Sequence, residues 1–506
     1  MELSKGAYLE MKNLPVSAFF ISRNPTVVVF EKIIYTELSK SIISLQNSTA
    51  LIQLKYKRSG FMKKKLLSVL VVVLIILSLP TLAFAETEAK IDTGDTAFIF
   101  ISAALVFLMT PGLAFFYGGM VRKKNVLNTM MNSFIIMALI SIQWVLIGYT
   151  IAFGPDKFHL FGGSDFLGLK GVGAAPNADY AGTIPQSLFV LFQMMFAIIT
   201  PALITGSIAE RMRFPAFLIF ILLWSTLVYD PLAHWVWGVG GWLRNLGALD
   251  FAGGTVVHIS SGVAGLVAAL VLGKRKGYKT TPMVPHNIPF VLLGAGLLWF
   301  GWFGFNAGSS LGANGLAIQA FLVINTSAAA ATLSWVLIEW LHHGKPTLLG
   351  AATGAVVGLV AITPGSGFVS VTSAIIIGLA VSPLCYFAIT FVKAKLGYDD
   401  SLDVFGCHGI GGMWGALATG LFASKDINPL GNNGLFFGNP AIFGIQALSV
   451  IVTVAFSAVL TFGILKGISL VTSLRASENE EDEGLDTAQH GEDAYPDFVT
   501  QDSISF

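Results

Sequence analysis

From Asp95 to residue 472 the chain alternates long apolar runs with short polar connections, and eleven of these runs are long enough to cross a hydrocarbon layer. They lie near 95–120, 126–153, 186–208, 215–234, 253–273, 288–307, 316–341, 347–363, 371–392, 402–423 and 442–472. Away from water such a run can satisfy its own backbone only as a helix. The expected fold class is therefore an all-α polytopic membrane protein, eleven transmembrane helices in a lipid bilayer. Composition agrees: 54% of the 506 residues are hydrophobic and 12% charged, too few polar groups to cover a water-soluble globule. The 54 glycines weaken several runs singly, but small residues let helices pack backbone to backbone.

A net charge of +1 gives no reason to expect nucleic acid as a partner. Cys385 and Cys407 both fall in apolar runs, so they read as buried small hydrophobes rather than a disulfide or thiolate metal site. No histidine pair at ligand spacing with a nearby acid lies within the runs, and His342-His343 reads as a surface loop pair. No cofactor and no enzymatic activity are expected.

The N-terminus is expected to be removed or mis-assigned. Met62-Lys63-Lys64-Lys65, the apolar stretch 66–79, Pro80 and Ala83-Phe84-Ala85 have the three-part form of a signal peptide over 62–85, with an uncleaved anchor as the competing reading. Residues 1–61 contain no span or domain and read as a mis-called start. The transport domain would then cover 86–475 and an acidic C-terminal tail 476–506.

Basic residues set the expected orientation. Arg122, Lys123, Lys124, Arg211, Arg213, Lys274, Arg275, Lys276, Lys279, Lys345, Lys393 and Lys395 fall in the odd-numbered loops, whereas the even loops hold only Lys157, Lys170, Arg244 and Lys425. The odd loops are therefore expected in the cytoplasm. With eleven spans the mature N-terminus lies outside and the C-terminus inside.

His258 and His408 stand deep in apolar, glycine-rich runs with no charged residue in the same helical stretch beyond the aspartate at its opening. A bilayer penalises such groups unless they serve a pathway or a site. Asp250-Phe-Ala-Gly-Gly-Thr-Val-Val-His258 opens the fifth run and Asp403-Val-Phe-Gly-Cys-His408 opens the tenth. Five helices apart, the two strings would cross in opposite senses, the sign of a five-plus-five inverted repeat with a site at its midplane. Asp250 and Asp403 both read as helix caps, Asp250 with an added role in holding the pore mouth. Apolar surroundings favour neutral imidazoles, which offer one donor and one acceptor nitrogen each. A small, polar, proton-exchanging guest would suit them; the alternative is a pair that merely ties two helices. Phe192 and Phe196 share a helix face, and Trp237, Phe305 and Ser309 lie near outer helix ends, but on spacing alone these are packing and interfacial residues.

The strings Pro111-Gly112-Leu-Ala-Phe-Phe-Tyr-Gly-Gly119, Glu210-Arg211-Met-Arg213-Phe214, Asp250 to His258, Gly301-Trp-Phe-Gly-Phe-Asn-Ala-Gly-Ser309 and Asp403 to Gly412 closely resemble the bacterial ammonium transporters of the Amt/Rh family, in the right order over about residues 90–495. That resemblance implies an outer ammonium site of Trp237, Phe196 and Ser309 supported by Asp250, and a gate of stacked Phe196 and Phe305 with Phe192 close by. His258 and His408 would be the twin histidines of a hydrophobic pore. It implies ammonium bound outside and deprotonated, ammonia crossing the pore, and the proton travelling separately. It also implies a homotrimer in the cell membrane, with a pore in each subunit, serving nitrogen metabolism. Taken alone, the acidic run Glu478 to Glu483 would be solvated. Glu483-Gly-Leu-Asp-Thr-Ala-Gln-His-Gly-Glu-Asp-Ala-Tyr495, however, resembles the family's tail segment, which packs on the inner face and implies a P-II nitrogen-regulatory protein as partner. An electroneutral ammonia channel of the Rhesus type and an ammonium sensor are the rival functions.

Overall fold

The structure is a computed structural model that describes residues 90–495; the expected signal peptide and the extension before it lie outside the described residues. The chain forms α1 (Thr93–Met120), α2 (Lys123–Phe153), α3 (Gln186–Ile208), α4 (residues 214–237), α5 (Gly254–Leu272), α6 (Ile288–Gly308), α7 (Gly315–His343), α8 (Leu348–Ile362), α9 (Val371–Leu396), α10 (residues 405–422) and α11 (Pro440–Ser469). Among the described residues nine helices are long and apolar enough to cross a membrane, and α8 and α10 are shorter than the runs that announced them. The reason is local. Thr347 caps α8 by accepting from the Gly350 N–H, and Pro364 follows its last turn. Before α10, Asp403 takes a positive φ of 59°, which no helix continues through.

Short polar residues start the other helices. Asp92, Asn287, Asn314 and Ser370 each accept a backbone N–H of the first turn. His342 and His343 belong to the last turn of α7, not to a loop; both are exposed and both bond the Tyr386 hydroxyl. Both cysteines are free and buried.

Glycine decides how closely the helices approach. A Cβ on Gly294 of α6 would stand 2.3 Å from the Phe116 nitrogen of α1, so these two backbones touch where any side chain would part them. Large side chains such as Phe134, Leu270, Ile318 and Leu333 face outward, as lipid permits and water does not. Inside, α2 and α4 are joined by Gln143, whose amide donates to the buried Asp230 carboxylate at 2.6 Å. Five π turns interrupt these helices, two of them at 254–259 in α5 and 405–409 in α10.

One face is closed by ions. Glu210, wholly buried and itself at φ 70°, accepts from the Arg122 backbone N–H at 2.7 Å and pairs with the guanidinia of Arg122 and Arg275. Arg275 also forks onto Asp399, 2.8 Å to Oδ1 and 2.9 Å to Oδ2, while Arg211 donates to the Asp399 carbonyl at 2.6 Å. Burial raises the Glu210 carboxyl, but Arg275 and Arg122 outweigh it and hold the group below the ordinary carboxylate range; Arg275 and Arg211 do the same for Asp399.

The acidic tail is docked on this face rather than freely solvated. Helix α12 (Glu478–Glu483) opens with a capping box of Ser477 and Glu480. Glu481 pairs with Arg475 and Asp482 with Lys276. The Asp486 carboxylate then accepts the N–H groups of Leu127 and Asn128 at 3.0 and 2.7 Å, capping the first turn of α2. Gln489 accepts from the Phe214 N–H at 2.8 Å.

Candidate functional site

On the face away from the tail, the end of α4 presents Trp237, whose indole N–H donates to the Asp250 carbonyl at 2.9 Å. Its ring meets that of Phe196 edge to face, 6.0 Å between centroids. Ser309 lies one turn beyond Phe305 at the end of α6 and donates its hydroxyl to the Phe305 carbonyl, which leaves the oxygen lone pairs free to accept. Phe196, Trp237, Ser309, Gln193, Tyr180 and Arg244 line one cavity here.

Two rings form its floor. Phe196 and Phe305 lie 4.2 Å apart at 30°, with Phe192 5.0 Å from Phe196 one turn earlier on α3. All three are fully buried. Beneath them Met109, Leu113, Ile199, Leu203, Leu298 and the two histidines surround a cavity of about 10 Å³, the room of a single water centre.

His258 and His408 each stand on a π turn, where the extra residue of the wider helical turn re-aims the side chain. Their rings are 5.3 Å apart at 20°, and the two Nδ1 atoms 3.3 Å apart. One Nδ1 must donate and the other accept, so the Nε2 atoms carry opposite roles. His258 Nε2 is buried with no partner among the described residues, and its ring stacks on Trp302 at 5.4 Å. The pair meets because a glycine faces a glycine: a Cβ on Gly262 of α5 would be 2.2 Å from the Gly409 nitrogen of α10. Gly262→Ala is expected to push α5 and α10 apart by about an ångström, since overpacking of this kind is relieved by backbone shifts. A crystal or cryo-EM structure of the variant with the histidine contact unchanged would sink that expectation.

The two acids fare differently. Asp250 is a cap: Oδ1 accepts from the Gly253 and Gly254 N–H groups at 2.8 and 2.6 Å, and Oδ2 from the Thr255 N–H at 2.8 Å and the Thr255 hydroxyl. Its carboxylate is thereby saturated and does not line the outer cavity; it fixes the backbone on which Trp237 rests. Asp403 is not a cap. Its carboxylate pairs with Lys393 at 2.6 Å, and Asp400 takes the capping place instead, accepting from the Phe405 N–H at 2.8 Å and the Ser207 hydroxyl at 2.7 Å. Asp400 precedes His408 by eight residues, as Asp250 precedes His258. Residue order alone pairs Asp250 with Asp403, whereas the eight-residue spacing to the histidine pairs it with Asp400.

The sequence singles out none of Trp302, Gln193, Tyr180, Arg244 and Asp179 as a site residue, Arg244 counting there only as a loop charge. Gln193 was detectable as the one amide beside Phe192, and its Oε1 is buried without a partner among the described residues.

A family model described as Ammonium Transporter Family matches residues 97–495. An ammonium transporter of Bacillus subtilis is 56% identical over 406 residues, 80% of this chain and 99% of that relative. Among solved structures, that of Saccharomyces cerevisiae Mep2 matches with a TM-score of 0.75 at 35% identity, over 81% of this chain and 93% of Mep2. One described as a Sensor Amt Protein matches at 0.73 and 30% identity, over 78% and 98%. The family match spans the phenylalanine pair, both histidine strings and the docked tail, and the chain therefore belongs to the ammonium transporter family.

Proposed function

We propose that the protein recruits ammonium at the outer cavity, strips it of a proton there, and conducts ammonia through the chamber of His258 and His408, with the proton passing separately along the imidazoles and ordered water. The observation that carries this reading is the succession of environments on either side of one ring pair: an open cavity with ring faces and hydroxyl or amide oxygens, a closed phenylalanine pair, then an apolar chamber whose polar groups are two imidazoles. The faces of Trp237 and Phe196 attract a cation, and Ser309 and Gln193 offer oxygens to its N–H groups. A bare cation in the chamber would cost several kcal/mol. Ammonium avoids that cost by crossing as ammonia, and potassium has no proton to surrender.

The architecture belongs to the same proposal. Eleven spans in a five-plus-five inverted repeat are supported by the matched placement of the two histidines on π turns and of Asp250 and Asp400 eight residues before them. The mature N-terminus lies outside and the tail face in the cytoplasm of a cell-membrane homotrimer. A domain over 86–475 and a regulatory tail over 476–506, open to a P-II protein, complete the reading; the ion-paired seat of the tail supports it.

The test is charge movement in proteoliposomes holding the purified protein, after an ammonium step and a matched potassium step. A saturable current with ammonium and none with potassium is expected. Internal alkalinisation without current would replace the proposal with a neutral ammonia channel. Silence in both would favour a sensor, a reading to which the likeness to a Sensor Amt Protein lends weight.

A further inference from the structure

Two charged side chains, Asp179 and Arg244, line the outer cavity, and neither belongs to an ion pair among the described residues. Arg244 sits on a short helical turn, Trp242–Leu246, just beyond α4, and its Nη1 donates to the Trp237 carbonyl at 2.6 Å. That bond pins the guanidinium to the residue whose ring meets Phe196, while the indole N–H is pinned to the Asp250 carbonyl. An unpaired positive charge beside a cation site is unfavourable if the cavity has only to bind cations.

It becomes useful if the cavity must also take a proton away. A fixed positive charge raises the free energy of ammonium and leaves neutral ammonia nearly untouched, so it favours dissociation once the proton moves away from it. Building on the transport reading above, we infer that Arg244 is a specificity-determining residue for deprotonation: held on Trp237, its charge drives bound ammonium to break one N–H bond. The electron pair stays on nitrogen, and the proton passes to cavity water and on along the imidazole path, out of reach of the guanidinium, because a proton held on cavity water would meet the same repulsion as ammonium. A cation without a removable proton meets only the repulsion, so the same charge discriminates against potassium. Asp179, in the loop before α3, is the counterweight that keeps cations from being excluded altogether.

The experiment is the ammonium-step current of the full chain in proteoliposomes, parent against Arg244→Gln, Arg244→Lys and Asp179→Asn, over a range of pH and salt. For Arg244→Gln the half-saturating ammonium concentration is expected to fall roughly three- to tenfold, as for one charge near a solvated site, and the maximal current to fall with it. Its pH profile should move to more alkaline values, and its difference from the parent should shrink at high salt. Arg244→Lys should keep most of the parent behaviour, and Asp179→Asn should raise half-saturation. A purely structural arginine predicts the opposite sign, because a loosened Trp237 binds ammonium less well. Half-saturation that rises or stays put in Arg244→Gln overturns the inference while leaving the transport reading intact. A parent without any ammonium current removes both.

Discussion

Replacing His258 by leucine is expected to reduce the ammonium-evoked current about 100-fold, the lower end of what a positioned proton-transfer group contributes. Leucine fills a similar volume, and the helix contacts around the position, Gly262 against Gly409 above all, do not depend on the imidazole. What disappears is the 3.3 Å link between the two Nδ1 atoms and the free Nε2 facing the chamber. With no second ring to hand the proton on, ammonia has a path and its proton has none. Residual flux should be uncoupled from current, or selectivity against potassium should relax. The measurement is the same pair of concentration steps, made on a variant whose elution volume matches the parent. Retention of both current and selectivity would leave the histidines as helix ties.

A change far from the pore should cost the most stability. Asp399→Ala is expected to destabilise the protein by roughly 3–5 kcal/mol, the range for removing one partner of a buried ion pair. Arg275 would lose both arms of its fork, and Arg211, wholly buried, would lose its nearest carboxylate at 3.7 Å. Thermal unfolding of the solubilised protein would show this as a lowered midpoint. A shift no larger than that of a surface substitution would mean that water already reaches the cluster. The pH dependence follows in sign. Glu210 and Asp399 are held below the ordinary carboxylate range when folded, so their stabilisation is complete above that range. It is lost as pH falls through the lowered folded values.

Much of this was legible in the sequence because apolar length is a direct physical signal: where a run of some twenty residues lacks charge, little but a helix can form. The runs at 347–363 and 402–423 were drawn too long because hydropathy does not register a cap such as Thr347 or a left-handed residue such as Asp403. The histidines stood out because a charge-free context makes them rare, and the resemblance drew Phe196, Phe305, Trp237 and Ser309 to one place. The π turns left no compositional trace, yet they aim both imidazoles. The place of Arg244 and Asp179 in the cavity is not legible because they reach it from connections, and loop paths are not written in periodicity. The Arg122, Glu210, Arg275 and Asp399 cluster escaped for a related reason. Its partners come from four separate connections, and basic residues counted as free topological charges turn out to be neutralised in place.

The seat of the tail has a consequence for the order of biosynthesis. Arg475 to Tyr495 leaves the ribosome after every long helix, and it binds groups made hundreds of residues earlier, the first turn of α2 and the Lys276 connection. Until it arrives, the α2 amides and the Lys124 and Lys276 ammonium groups stand without those partners. Synthesis of the tail is thus registered on a surface laid down hundreds of residues before it, and a chain lacking the tail would display a basic, uncapped patch that the docked tail conceals.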